Sequence, residues 1–106
     1  MDAYMYILKC ADGTYYTGST KHLETRIHQH KSGNGSNYTR SRLPVILVYL
    51  EYYTRIEDAF RREKQIQRWS FAKKEALIKG DIQRLKELAA CKNLSHFQNK
   101  VNLSKE

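Results

Sequence analysis

Cysteine is scarce in this 106-residue chain, which holds only Cys10 and Cys91. Two thiols are too few for a disulfide framework or a cysteine metal site, so both read as small buried hydrophobes in a reducing compartment. Proline occurs once and glycine five times, which excludes collagen-like and proline-rich architectures. No uncharged apolar run approaches the ~18 residues of a membrane span. The N-terminus does not resemble a secretory signal either, since Asp2 stands where positive charge belongs and no apolar stretch follows. These absences imply a cytoplasmic chain with no membrane partner. Acidic residues are also outnumbered: 19 Lys and Arg face 11 Asp and Glu, a formal net charge of +8. The excess is concentrated in residues 55–92, with eleven basic and six acidic side chains. Such a balance suits polyanions, because Lys and Arg on phosphates release counterions. It equally suits a solvated basic surface.

What is present is ordinary for a globular chain with one modest core, at 41% hydrophobic and 28% charged residues. Residues 3–10 and 14–19 predict two strands of a hairpin around Ala11-Asp12-Gly13. Helical spacing begins near Lys21, with Leu23 and Ile27 four apart and Thr20 as the expected N-cap. Residues 32–44 predict a loop with a basic second half. Residues 45–53 are apolar or aromatic apart from Glu51, a near-continuous run that predicts a central strand covered on both faces. Thr54 and Glu57 have the spacing of a capping box before a helix to about Trp69, with Ala59, Phe60 and Ile66 inward. Ser70 and Asp81 are expected caps of two further helices separated by Gly80. Phe71, Leu77 and Ile78 face inward on the first, and Ile82, Leu85, Leu88 and Ala89 on the second. Residues 93–106 have no period and predict a frayed tail. The order ββαβααα implies an α/β sandwich around a small sheet.

Several polar residues sit where packing alone does not call for them. With Gly13 left-handed in a three-residue loop, Tyr6 lies opposite Gly18 and Leu8 opposite Tyr16, so Tyr6 and Tyr16 share a face. A two-residue turn would put them on opposite faces. Gly18 weakens its strand, the usual mark of close approach by another group. His22, Arg26 and His30 recur at i,i+4 and form a stripe beside the Leu23–Ile27 face. Arg26 there can hold a phosphate by its fork, and His30 can bind phosphate or shuttle a proton. A plain solvated stripe would look the same. Glu63 lies between Phe60 and Ile66 on an apolar side, where a carboxylate must be paired, hydrogen-bonded or on a hard divalent cation.

The ordered series Tyr4-Met5-Tyr6, Tyr16-Thr17-Gly18, Arg26-x-x-x-His30 and Glu63 resembles the GIY-YIG nuclease superfamily over roughly residues 2–80. The run Ser32-Gly33-Asn34-Gly35, followed by Tyr38-Thr39-Arg40, is similar to the loop of its small stand-alone bacterial members. Tyr4-Met5 stands where the family has Gly-Ile, and Thr17 where it has Ile; the tyrosines and Gly18 are kept. Many members also carry an Asn after the metal-binding Glu, and here Asn93 is the first Asn after Glu63. The resemblance implies a single small α/β domain with a three-stranded antiparallel sheet and flanking helices, over residues 1–80. Residues 81–92 would be a helical extension and 93–106 a disordered tail. It further implies a metal-dependent endonuclease acting on DNA, of the kind used in repair or recombination, with Mg²⁺ or Mn²⁺ as cofactor. Tyr6 would be the general base or orient the attacking water, and Tyr16 would help position phosphate or water. Arg26 would stabilise the phosphorane charge, His30 would assist proton transfer or phosphate binding, and Glu63 would be the only protein ligand of the metal.

Tyr38, Arg40 and Arg42 are expected to line the approach to that site, the tyrosine stacking on a base or ribose and the arginines holding phosphates. Two other readings fit the same basic chain. One is a nucleic-acid-binding module that does not cleave. The other is an interaction domain for an acidic protein partner.

Overall fold

The computed structural model describes residues 2–97, with side chains through residue 89. The described residues fall into two compact units divided between Trp69 and Ser70. The first holds strands β1 (Ala3–Lys9), β2 (Tyr15–Thr20) and β3 (Ile46–Tyr53), with helices α1 (Leu23–Lys31), α2 (Asn37–Arg40) and α3 (Ile56–Gln67). The sheet is antiparallel in the order β2-β1-β3. The second unit holds α4 (Phe71–Lys79) and α5 (Ile82–Phe97), packed on each other.

The central strand is β1, and its sequence accounts for that position. Met5, Tyr6, Ile7 and Leu8 are each 1% exposed or less, so consecutive residues bury both faces of the sheet. Fully burying a side chain of this size contributes roughly 1.5–3 kcal/mol. On one face Tyr6, Leu8, Cys10 and Val45 pack with Leu23 and Ile27 of α1. On the other, α3 crosses all three strands, and Ala59, Glu63 and Ile66 are its buried residues. A clamp holds α3 there: Arg62 donates twice to Glu51 of β3, at 3.0 and 3.1 Å.

Several expectations need correction. The apolar run at 45–53 forms an edge strand, with Ile46, Leu47, Leu50 and Tyr52 exposed. Its register with β1 puts Leu47, Leu50 and Tyr52 on the α1 face, but Leu23 and Ile27 pack on Tyr6 and Leu8 instead. Thr20 lies two residues ahead of the true N-cap, His22, and its Oγ1 accepts from the His22 amide at 2.9 Å. The Thr54–Glu57 box is out of register by one. Arg55 is the N-cap, and Glu57 pairs with it at 3.5 Å. Phe60, Phe71 and Ile82 are half-exposed. Phe60 lies off the Ala59–Glu63–Ile66 stripe, and the other two are first residues of their helices, at the end of the packed face. Within the loop at 32–44, Ser36 accepts from the Thr39 amide and caps the short α2.

Ser70 does cap α4, and Gly80, at a φ of 72°, ends it. Asp81 Oδ1 accepts from the Arg84 amide at the start of α5. The expected tail at 93–106 begins inside that helix, which continues to Phe97. Residues 98–106 lie outside the described residues, as do the side chains of Cys91 and Asn93.

Candidate active site

Strand register brings the two tyrosines together. Tyr6 pairs with Gly18 and Leu8 with Tyr16, so both tyrosines point to the α1 face. Gly13, at a φ of 88°, makes the three-residue loop that sets this register. Gly18 has a second task. A β-carbon there would collide with the Tyr6 hydroxyl and stand 2.5 Å from Tyr6 Cζ. The Tyr6 ring thus lies over the one point of edge strand β2 that carries no side chain.

Helix α1 delivers His30 to the same place. His30 is fully buried, with Nε2 2.8 Å from the Tyr6 hydroxyl and its ring centroid 5.0 Å from that of Tyr16. Its Nδ1 lies 2.9 Å from Thr39 Oγ1, and Thr39 meets Ser36 Oγ at 3.0 Å. Gly35 closes on the imidazole so tightly that a β-carbon would collide with Nδ1. Arg26, one turn before His30, lies beside the Tyr6 hydroxyl and donates to Gln29 Oε1 at 3.1 Å. His22, the first residue of the polar stripe, is exposed at the N-cap.

Burial pushes the Tyr6 phenol up to about 12, with Arg26 opposing and the neighbouring Tyr16 and Glu63 adding. Burial and then the Arg26 charge push His30 down to about 4. At neutral pH the pair is a phenol and a neutral imidazole.

Glu63 approaches from the opposite face of the sheet. Only 8% exposed, it accepts from Ser19 Oγ at 2.6 Å and Gln67 Nε2 at 2.7 Å, and Lys64 Nζ lies 3.8 Å away. Ser19 follows Gly18 and therefore faces away from Tyr6. Tyr6 and Glu63 flank the Gly18–Ser19 segment from its two sides, within electrostatic reach of each other. Of the five expected residues, Tyr6, Tyr16, Arg26 and His30 form one cluster, and Glu63 stands across the edge strand. No three His, Cys, Asp or Glu side chains gather among the described residues. A lone, oriented carboxylate fits a hard cation that takes its other ligands from water and phosphate, the habit of Mg²⁺.

The loop residues differ from expectation. The Tyr38 ring stacks on Tyr16 at 5.9 Å, and the Arg42 guanidinium covers it at 3.8 Å. Its hydroxyl donates to Thr14 Oγ1 at 2.7 Å. Arg42 pairs with Asp12 at 3.0 Å and donates to the Tyr38 carbonyl at 2.9 Å. Both side chains brace the loop against the hairpin. Arg40 is exposed, its guanidinium donating to Asn37 Oδ1. The sequence reading missed Ser36 and Thr39 behind His30, and Ser19 and Gln67 on Glu63. Only the Ser36-x-x-Thr39 capping spacing within the loop could have flagged any of them.

A model of the GIY-YIG catalytic domain matches residues 2–76. The chain belongs to the GIY-YIG family. That makes its family function a nuclease one, and the matched residues include the four-residue cluster and Glu63. The UPF0213 protein of Halobacterium salinarum is 45% identical over 75 residues, covering 71% of this chain and 97% of that protein. A UPF0213 protein of Syntrophus aciditrophicus is 46% identical over 83 residues, 77% of this chain and 95% of its own. The solution NMR structure of a UPF0213 protein from Bacillus halodurans superposes with a TM-score of 0.50 at 43% identity, covering 74% of this chain and 84% of that one. An E. faecalis protein solved by the same method gives 0.53 at 32% identity, over 78% and 88%. No helix among the described residues is long and apolar enough to cross a membrane.

Proposed function

We propose that this GIY-YIG protein is a metal-dependent endonuclease that hydrolyses DNA phosphodiester bonds by attack of water. The observation that carries the reading is the buried Tyr6–His30 hydrogen bond of 2.8 Å, with Arg26 beside it. A phenol raised to about 12 is protonated at neutral pH, so it cannot act as a base unless its own proton leaves as the water's arrives. Hydrogen-bonded to the neutral imidazole of His30, it can accept a water proton if it passes its own on to that ring. Tyr16, tilted against His30 on one side and stacked on Tyr38 on the other, would form a wall for water and phosphate. Arg26 meets the charge that develops on the phosphoryl oxygens, in a site where burial strengthens that interaction. Glu63, oriented by Ser19 and Gln67, would hold Mg²⁺ or Mn²⁺. When bound, that ion supplies Lewis-acid stabilisation of the leaving oxygen.

The net charge of +8 supports a nucleic-acid partner. The substrate class is DNA, in the setting of repair or recombination. One observation favours the non-cleaving binding module: both Glu63 oxygens are already engaged by protein donors. Nicking of labelled duplex, flap and branched DNA with Mg²⁺, Mn²⁺ or EDTA separates the two. Cleavage that EDTA abolishes supports the nuclease. Binding without cleavage on every substrate and metal leaves the module.

A further inference from the structure

Among the described residues, the proton on Tyr6 has one acceptor. Tyr6 is 1% exposed, and among the described residues its hydroxyl finds a hydrogen-bond acceptor only at His30 Nε2. Its other polar neighbour at that oxygen, Arg26, can only donate. A buried hydroxyl whose proton lacks an acceptor is costly, so Tyr6 donates to Nε2. Nε2 is then bare, and a neutral imidazole with a bare Nε2 carries its hydrogen on Nδ1. That hydrogen goes to Thr39 Oγ1 at 2.9 Å. Thr39 can hand its own proton to Ser36, whose hydroxyl lies 3.0 Å away and whose carbonyl oxygen lies 3.4 Å away. Thr39, like His30, is fully buried, so no solvent competes for these bonds. The result is a one-way chain from Tyr6 through His30 and Thr39 to Ser36.

We infer that Thr39 is a positioning residue, whose hydroxyl holds His30 as the Nδ1–H tautomer and thereby leaves a lone pair of the Tyr6 oxygen, beside the one that faces Arg26, free to accept from water. In the opposite tautomer Nε2–H would donate to Tyr6. The Tyr6 hydrogen would then point into the site, and the phenol would meet the water as a donor. The catalytic consequence rests on the nuclease reading, whereas the tautomer is a property of the resting protein. In the reaction, a water proton moves to the Tyr6 oxygen as the Tyr6 proton moves to Nε2. The water oxygen bonds to phosphorus, and the bond from phosphorus to the leaving oxygen breaks. The imidazolium keeps its Nδ1–H on Thr39 and returns the Nε2 proton through Tyr6, to the leaving oxygen or to solvent.

The test is nitrogen-15 NMR of the His30 ring in the full chain, for wild type, Thr39→Val and Thr39→Ser. Wild type and Thr39→Ser should carry hydrogen on Nδ1 with Nε2 bare. Thr39→Val keeps the shape but offers Nδ1–H no acceptor, so His30 should shift toward Nε2–H. Its cleavage rate should fall ~10²-fold, the size of a lost acid–base contribution, with DNA affinity unchanged. Thr39→Ser should recover the rate. An Nε2–H tautomer in wild type, or an unaltered Nδ1–H tautomer in folded Thr39→Val, overturns the inference. If Thr39→Val does not fold, the wild-type and Thr39→Ser tautomers decide it. The expected tautomers in a protein that cleaves no DNA would uphold the positioning and remove the nuclease reading alone.

Discussion

The ring of Tyr6 lies against the backbone of Gly18, its partner across the hairpin, so closely that a β-carbon on residue 18 would collide with the Tyr6 hydroxyl. Gly18→Ala should therefore destabilise the fold by overpacking, ~1–3 kcal/mol in denaturant unfolding. Shortening Tyr6 to Leu in the same chain should remove most of that penalty, because the two substitutions share one contact. A full penalty in the double variant would place the strain elsewhere.

Thr17 stands where the family has Ile, and its Oγ1 is the buried side-chain oxygen among the described residues that finds no partner. Thr17→Val keeps the shape and removes the orphan hydroxyl. It should stabilise the protein by ~1 kcal/mol or more. A lower thermal midpoint for Thr17→Val would mean that the hydroxyl has a partner.

The hairpin was legible because two local facts decide it. Loop length with Gly13 sets the register, and register alone places Tyr6, Tyr16 and Gly18. Glu63 was legible as an acid on an apolar stripe, although only the fold shows that it meets β2 from the face opposite Tyr6. The edge position of β3 was not legible, since an apolar run records hydrophobicity and not which faces a short helix will cover. Thr39 was hidden for a different reason. Its partner His30 is nine positions away, and the intervening glycines read as an open loop, whereas Gly35 is a contact surface for the imidazole.

His30 makes stability depend on pH. Its folded value is pushed down to about 4 from 6.5, so between those values the unfolded chain binds a proton that the folded chain refuses. Stability should be fully present above pH ~6.5, fall as pH drops toward ~4, and level off below. The loss is as much as about 3 kcal/mol. Urea unfolding at pH 7, 5.5 and 4 measures it, and in His30→Gln this component should vanish. An identical pH profile in that variant would assign the loss to other groups.

Arg40 and Arg42 should behave differently despite their proximity. Arg40 is exposed and available to phosphate, whereas Arg42 is tied to Asp12 and Tyr38. Arg40→Ala should weaken DNA binding and reduce the salt slope by about 1. Arg42→Ala should mainly lower stability, through the loss of its cover on Tyr38. The reverse assignment in salt titrations would return Arg42 to the nucleic-acid surface.

The central claim is that Arg26 and Glu63 serve cleavage rather than binding. The most direct measurement compares wild type, Glu63→Ala and Arg26→Ala on one DNA substrate in Mg²⁺, with affinity and nicking rate read on the same samples and circular dichroism confirming each fold. The account predicts that Glu63→Ala abolishes nicking while most of the affinity holds, because the many Lys and Arg side chains, and not one metal contact, carry the bulk of the attraction to phosphate. It predicts a loss of ~10²-fold or more in rate for Arg26→Ala, with a far smaller change in affinity. Equal nicking by wild type and Glu63→Ala, or tight binding by wild type with no nicking at all, would contradict it.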